Sequence, residues 1–141
     1  RSDANDAIFK RVSIDDNSAY VLDSADGIYY GYHKTESGKS VTLNDNTLVA
    51  ASSTIAFSAT NEKTNLIYYT ASRGSNVRQG VMRITASSSG WTLTDEFSED
   101  GADIGLVFSV PPIVDGVTTL NYTTTGTGND VTFKYRIERL T

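Results

Sequence analysis

Cysteine is absent from this chain, which excludes disulfides, thiol nucleophiles and Cys-ligated zinc. Histidine is reduced to His33 alone. A Ser-His-Asp triad would have to use it as the base, and no Gly-x-Ser-x-Gly elbow accompanies it. A lone histidine beside tyrosines reads as an edge or surface residue. Basic residues are scarce: 12 Lys and Arg stand against 17 Asp and Glu, giving a net charge of -5. Nucleic-acid binding needs a basic face to replace counterions on phosphates, so that class is excluded. Long apolar runs are missing too, and none approaches the roughly 20 residues of a transmembrane helix. Nor is there a basic amphipathic helix to lie on a membrane. The start, Arg1-Ser2-Asp3-Ala4-Asn5-Asp6, is polar, is no signal peptide and lacks an initiator Met. The chain is expected to be a piece of something longer.

What remains abundant is Ser and Thr, together about a quarter of the 141 residues. Thr suits strands because its branched Cβ packs on a pleated surface. The dominant period is two. Ile8, Lys10, Val12 and Ile14 share one face, and Ile28 to His33 reads as a further strand. The pattern sharpens from about position 53. Ile55 and Phe57 alternate with Ala56 and Ser58. Met82 and Ile84 oppose Val81 and Arg83. Trp91, Leu93 and Asp95 oppose Thr92, Thr94 and Glu96. Val131, Phe133, Tyr135 and Ile137 alternate with Thr132, Lys134, Arg136 and Glu138. Turns fall at Asn61 to Asn65, Gly74-Ser75-Asn76 and Ser87 to Gly90, and Pro111-Pro112 closes a strand from Ile104 to Val110. Many short strands at regular spacing predict an all-β antiparallel β-sandwich, jelly-roll-like or Greek key. Residues 47 to 141 are expected to form it, with 1 to 46 as a strand-forming arm or part of the same domain. A single helical turn is expected at most near Ala50-Ala51 or Glu96 to Ser98.

Three groups of side chains invite a function. Carboxylates cluster at Asp95, Glu96, Glu99, Asp100 and Asp103. Such a set can serve glycoside cleavage or calcium, but its spacing fits no calcium loop. A solvated acidic loop is the favoured reading, with calcium as the alternative. Arg73 and Arg78 flank the Gly74 turn and are expected to pair with Asp95 and Asp100, pinning two loops together. Tyrosines are frequent, at 8, and in each cluster neighbours point to opposite faces. Tyr32, Tyr69 and Trp91 are therefore the candidates for an aromatic binding surface. No catalytic residue, metal or cofactor is expected.

The segment from about Leu66 to Leu140 resembles a β-structured domain of tailed-phage virion proteins, especially tail-fibre and other appendage proteins. The resemblance is carried by Ile67-Tyr68-Tyr69-Thr70-Ala71-Ser72-Arg73-Gly74-Ser75-Asn76-Val77-Arg78-Gln79-Gly80-Val81-Met82-Arg83-Ile84. It continues through Leu93-Thr94-Asp95-Glu96-Phe97 and Gly105 to Val110, and ends on Leu120 to Gly126 and Phe133 to Ile137. It covers about half of the chain. It implies a structural, non-enzymatic domain on the virion, at the tail fibre or capsid surface. The implied partners are other copies, as a homotrimer, and other virion proteins, with host attachment through a surface glycan. A carbohydrate-binding module using exposed aromatics is the alternative.

Overall fold

A computed structural model describes residues 10–11, 21–23, 27–30, 33–35, 38–59, 63–87, 89–112 and 116–140, the first four groups as strand backbone only. The strands are β1 (Lys10–Arg11), β2 (Val21–Asp23), β3 (Gly27–Tyr30), β4 (His33–Thr35), β5 (Lys39–Leu43), β6 (Ala51–Ser58), β7 (Thr64–Arg73), β8 (Asn76–Ser87), β9 (Gly90–Asp100), β10 (Leu106–Ser109), β11 (Val117–Thr124) and β12 (Val131–Leu140). Among the described residues there is no helix. Ala51 and Glu96 to Ser98, where a helical turn was expected, are strand. Ladder partners hold both places extended: Ala51 pairs with Tyr122, and Glu96 to Ser98 pair with Gln79 to Val81.

The strands form two antiparallel sheets, consistent with a β-sandwich. The large sheet runs β1-β2-β3-β4-β12-β7-β8-β9, and β5 also pairs with β12. β4 and β5 share one edge of β12, taking Glu138–Leu140 and Val131–Tyr135 in turn. The small sheet runs β10-β11-β6. The core lies between the sheets. The small sheet contributes Ile55, Phe57, Leu106, Phe108, Leu120 and Tyr122, and the large sheet Leu43, Ile67, Tyr69, Met82, Ile84, Phe133 and Ile137. Rings interlock across the gap: Phe108 lies 5.8 Å from Tyr69 and 5.2 Å from Phe133, and Phe57 lies 6.1 Å from Trp91. Each buried side chain of this size contributes about 1.5–3 kcal/mol, which is how the sandwich holds without disulfides.

Sequence dictates where the chain turns. β7 and β8 join through Gly74-Ser75, with Arg73 opposite Asn76. Gly74 has φ +60°, a conformation that a two-residue hairpin demands and only glycine adopts freely. Three of the segments in which the chain crosses between sheets are 44–50, 101–105 and 125–130. All three lie at the same end of the sandwich as the Gly74 turn, since Leu43, Ser72, Val77 and Val131 share that end of the large sheet.

Candidate functional site

The Gly74 end is organised by one arginine. Arg73 is the last residue of β7, and the inward face of that strand carries Asn65, Ile67, Tyr69, Ala71 and Arg73 in turn. Its side chain is therefore driven inward and is only 3% exposed. A buried guanidinium must have its donors satisfied. Here Nε donates to the Asn129 carbonyl at 2.8 Å, Nη1 to Ile104 O at 2.7 Å, and Nη2 to Thr125 O at 2.5 Å and to Asp45. One side chain thus ties these three crossing segments together. Asp45 reinforces the knot, accepting from the N–H groups of Thr127 at 2.8 Å and Gly128 at 3.0 Å. The Thr127 N–H, then that of Gly128 and the Arg73 guanidinium, hold the Asp45 carboxyl below its usual range against the opposing pull of burial.

Arg78 does similar work at the open side of the sandwich. Also 3% exposed, it sits on β8 opposite Glu99 of β9. It contacts Glu99 Oε2 at 3.1 Å, lies 3.6 Å from Asp103 and donates to Leu106 O at 2.7 Å. Leu106 belongs to the small sheet, so Arg78 bridges the two layers. The Phe97 ring stacks 3.9 Å from its guanidinium carbon. Gly80 makes room for this arrangement. Tyr69 and Phe97 are its neighbours on either side, and a Cβ there would meet Glu96 O at 2.7 Å, Phe97 Cβ at 2.8 Å and Tyr69 Cζ at 2.9 Å.

These contacts sort the expected site residues. Arg78 does join the acidic segment, but through Glu99 and Asp103. Arg73 turns instead to Asp45, which its sequence distance concealed. Asp95 accepts the Tyr69 hydroxyl at 2.8 Å, and Asp100 makes no ion pair with either arginine. Residues 95 to 100 are a strand rather than the expected loop, because β8 supplies a full ladder of partners. Tyr69 is not a surface residue: it is 4% exposed, since it shares the inward face of β7 with Ile67 and Ala71. Burial, and then the Asp95 carboxylate, push its phenol above the usual tyrosine range. Trp91 is half-buried against Phe57. Tyr32 lies outside the described residues, and so do the side chains of β4, His33 included. Among the described residues no three His, Cys, Asp or Glu converge as a metal site would require.

Two surfaces remain. On the outer face of the large sheet, Tyr68, Gln79, Arg83, Glu96, Lys134 and Arg136 line a broad open trough. Tyr68 carries the Arg136 guanidinium 4.8 Å above its ring. At the open side, Leu48, Phe97 and Val107 line a groove of about 510 Å³ together with Asp95, Asp103 and Thr123. Leu48 is 72% exposed, Val107 63% and Phe97 47%. Phe97 lies on the face of β9 that looks toward the core, and the three-strand sheet is too narrow to cover it.

No family model, curated protein or solved structure matches the chain. The reading of its function therefore rests on the residues. Exposed apolar positions inside a charged sequence were not legible beforehand. Phe97 is bare because the small sheet is too narrow to cover it, Val107 because it points away from the core between Leu106 and Phe108, and Leu48 because it lies in the segment between β5 and β6.

Proposed function

We propose that this chain is a structural, non-catalytic module of a tailed-phage particle, at a tail fibre or on the capsid surface. It works by packing against other virion proteins and further copies of itself, and so contributes to host attachment. One observation carries the reading. Arg73, Arg78 and the carboxylates facing them are consumed in joining loops and sheets, whereas the bare side chains of Leu48, Phe97 and Val107 line one groove on the open side of the sandwich. Contiguous exposed apolar groups mark places where another surface packs. The test is immunogold labelling of purified particles with antibodies to the chain, alongside sedimentation of the isolated protein. Labelled particles and a species larger than the monomer are expected. Particles free of label would overturn the proposal.

A carbohydrate-binding role is the second reading, and the outer trough favours it. Tyr68 offers a ring face, while Gln79, Arg83 and Lys134 offer donors for sugar hydroxyls. Glycan-array binding that disappears with Tyr68→Ala, at unchanged melting temperature, would establish it. A blank array would remove it.

A further inference from the structure

The outer face of the large sheet carries one line of side chains that the fold does not use. Ser40 of β5, Lys134 of β12, Thr70 of β7, Gln79 of β8 and Ser98 of β9 are successive cross-strand partners. All five are exposed and line the open trough. Neighbouring strands lie about 4.8 Å apart, so the line crosses the sheet over about 19 Å. The charged side chains beside it are engaged. Arg83 holds Glu96 at 2.5 Å, Arg136 lies over the Tyr68 ring and 3.9 Å from Glu138, and the Tyr68 hydroxyl reaches Glu138 at 3.5 Å. Among the described residues no hydrogen bond or ion pair engages the side chains of Lys134, Thr70 or Gln79.

The charge of the trough is one-sided. Lys39, Arg83, Lys134 and Arg136 line it against Glu96, the only carboxylate among the described lining residues. Lys134 is the cation to which no carboxylate is joined, and Arg136 follows it by two residues on the same face of β12. An ammonium is a compact charge whose three donors rotate to meet an anion. The Thr70 hydroxyl stands one strand away, and the Gln79 amide two strands away; both groups donate and accept. One strand spacing is comparable with the length of a pyranose ring. A carboxylate at one end and hydroxyls beyond it is the outline of an acidic sugar. A protein partner fits less well. β12, β7 and β8 are each paired on both sides, so they offer no edge for an added strand. The line also holds no apolar anchor of the kind on which protein contacts depend.

We infer that this line is the subsite of a carboxylated sugar, a uronic or sialic acid unit, with its carboxylate on Lys134 and its ring hydroxyls on Thr70 and Gln79. The inference rests on the carbohydrate reading of the trough and gives that reading a ligand class. Arg136, held over Tyr68, adds to the field that favours an anion here. Because these charges are exposed, the attraction is screened by salt, whereas the contacts to hydroxyls are not.

A glycan array carrying uronic and sialic acid oligosaccharides beside their methyl esters and neutral sugars tests it, because esterification removes the charge and keeps the shape. The full chain is expected to bind the acids about tenfold more tightly than the esters, with an advantage that shrinks as salt is raised. Lys134→Gln brings the acids down to the level of the esters, while Gln79→Ala weakens acids and esters alike. Both side chains are exposed, so an unchanged melting temperature accompanies each substitution. Acids and esters bound equally, binding confined to neutral sugars, or an acid preference that survives Lys134→Gln overturns the inference and leaves the carbohydrate reading standing. An array blank for every sugar overturns both, and leaves the assembly role to be judged by particle labelling.

Discussion

Arg73 shows how one side chain governs a region that the pattern of strands leaves undefined. Its donors reach the carbonyls of Ile104, Thr125 and Asn129 and the carboxylate of Asp45. Removing it leaves those acceptors and a partly buried charge without their partner. Arg73→Ala is expected to cost about 3–5 kcal/mol in urea denaturation. Arg73→Lys recovers only part of this, because an ammonium cannot span acceptors that a planar guanidinium reaches at once. Carboxylates at the same scale give a pH signature. Asp45 is held below the ordinary value of 3.8, first by the Thr127 N–H. Its stabilisation is therefore present above that pH and lost as pH falls through its folded-state pKa. Asp95 is the opposite case. Burial raises it, and the Tyr69 hydroxyl and Arg78 offset only part of the rise. It subtracts stability at neutral pH, which is regained as pH falls through its raised pKa toward 3.8. Asp45→Asn should lower stability at neutral pH and flatten the acid loss below 3.8. Asp95→Asn should remove the gain above it. Melting temperature followed against pH separates the two. That two arginines near the Gly74 turn would be structural was legible from their spacing. Which carboxylates they take was not, because Asp45 lies 28 residues from Arg73 and meets it only through loop packing.

At the scale of elements, alternation in the sequence named most strands from Ile55 onward, because each has one face in the core and one in water. It carried β9 as far as Glu96 and missed residues 97 to 100. An edge strand rich in carboxylates looks like a solvated loop when only its polarity is visible. The charges there fit a sheet edge, which natural proteins commonly guard with charged side chains. β6 holds an irregularity that no pattern announced. Its pairing with β11 shifts between Thr119 and Asn121, and Thr54 takes φ +72° at that point. A β-branched residue with positive φ is strained by about 1–2 kcal/mol. The Ser52 hydroxyl accepts the Thr54 N–H at 3.0 Å, and Ser53 accepts that of Ile55 at 3.3 Å, which holds the distortion in place. Thr54→Gly is expected to raise stability by up to about 1 kcal/mol after the entropy cost of glycine. A lower urea midpoint for the variant would mean that the threonine side chain has a stabilising role in the bulge.

For the whole molecule, the buried hydrophobic residues among those described run from Leu43 to Ile137. A chain beginning at Gly38 retains β5 and every strand that contributes to that core. It is expected to unfold in one cooperative transition in calorimetry. A truncated chain without cooperative unfolding would mean that the first 37 residues belong to the core. Sequence alone determined that this is an all-β chain without cysteine chemistry, because side-chain period and composition are local properties that each strand carries by itself. It also placed two arginines at a turn. The tertiary structure alone decided that Tyr69 is core, that Arg73 belongs to Asp45, and that among the described residues Phe97 and the edge of β9 are left open. Those outcomes depend on which strands become neighbours and on how wide each sheet is, and both are set by contacts between residues far apart in the chain.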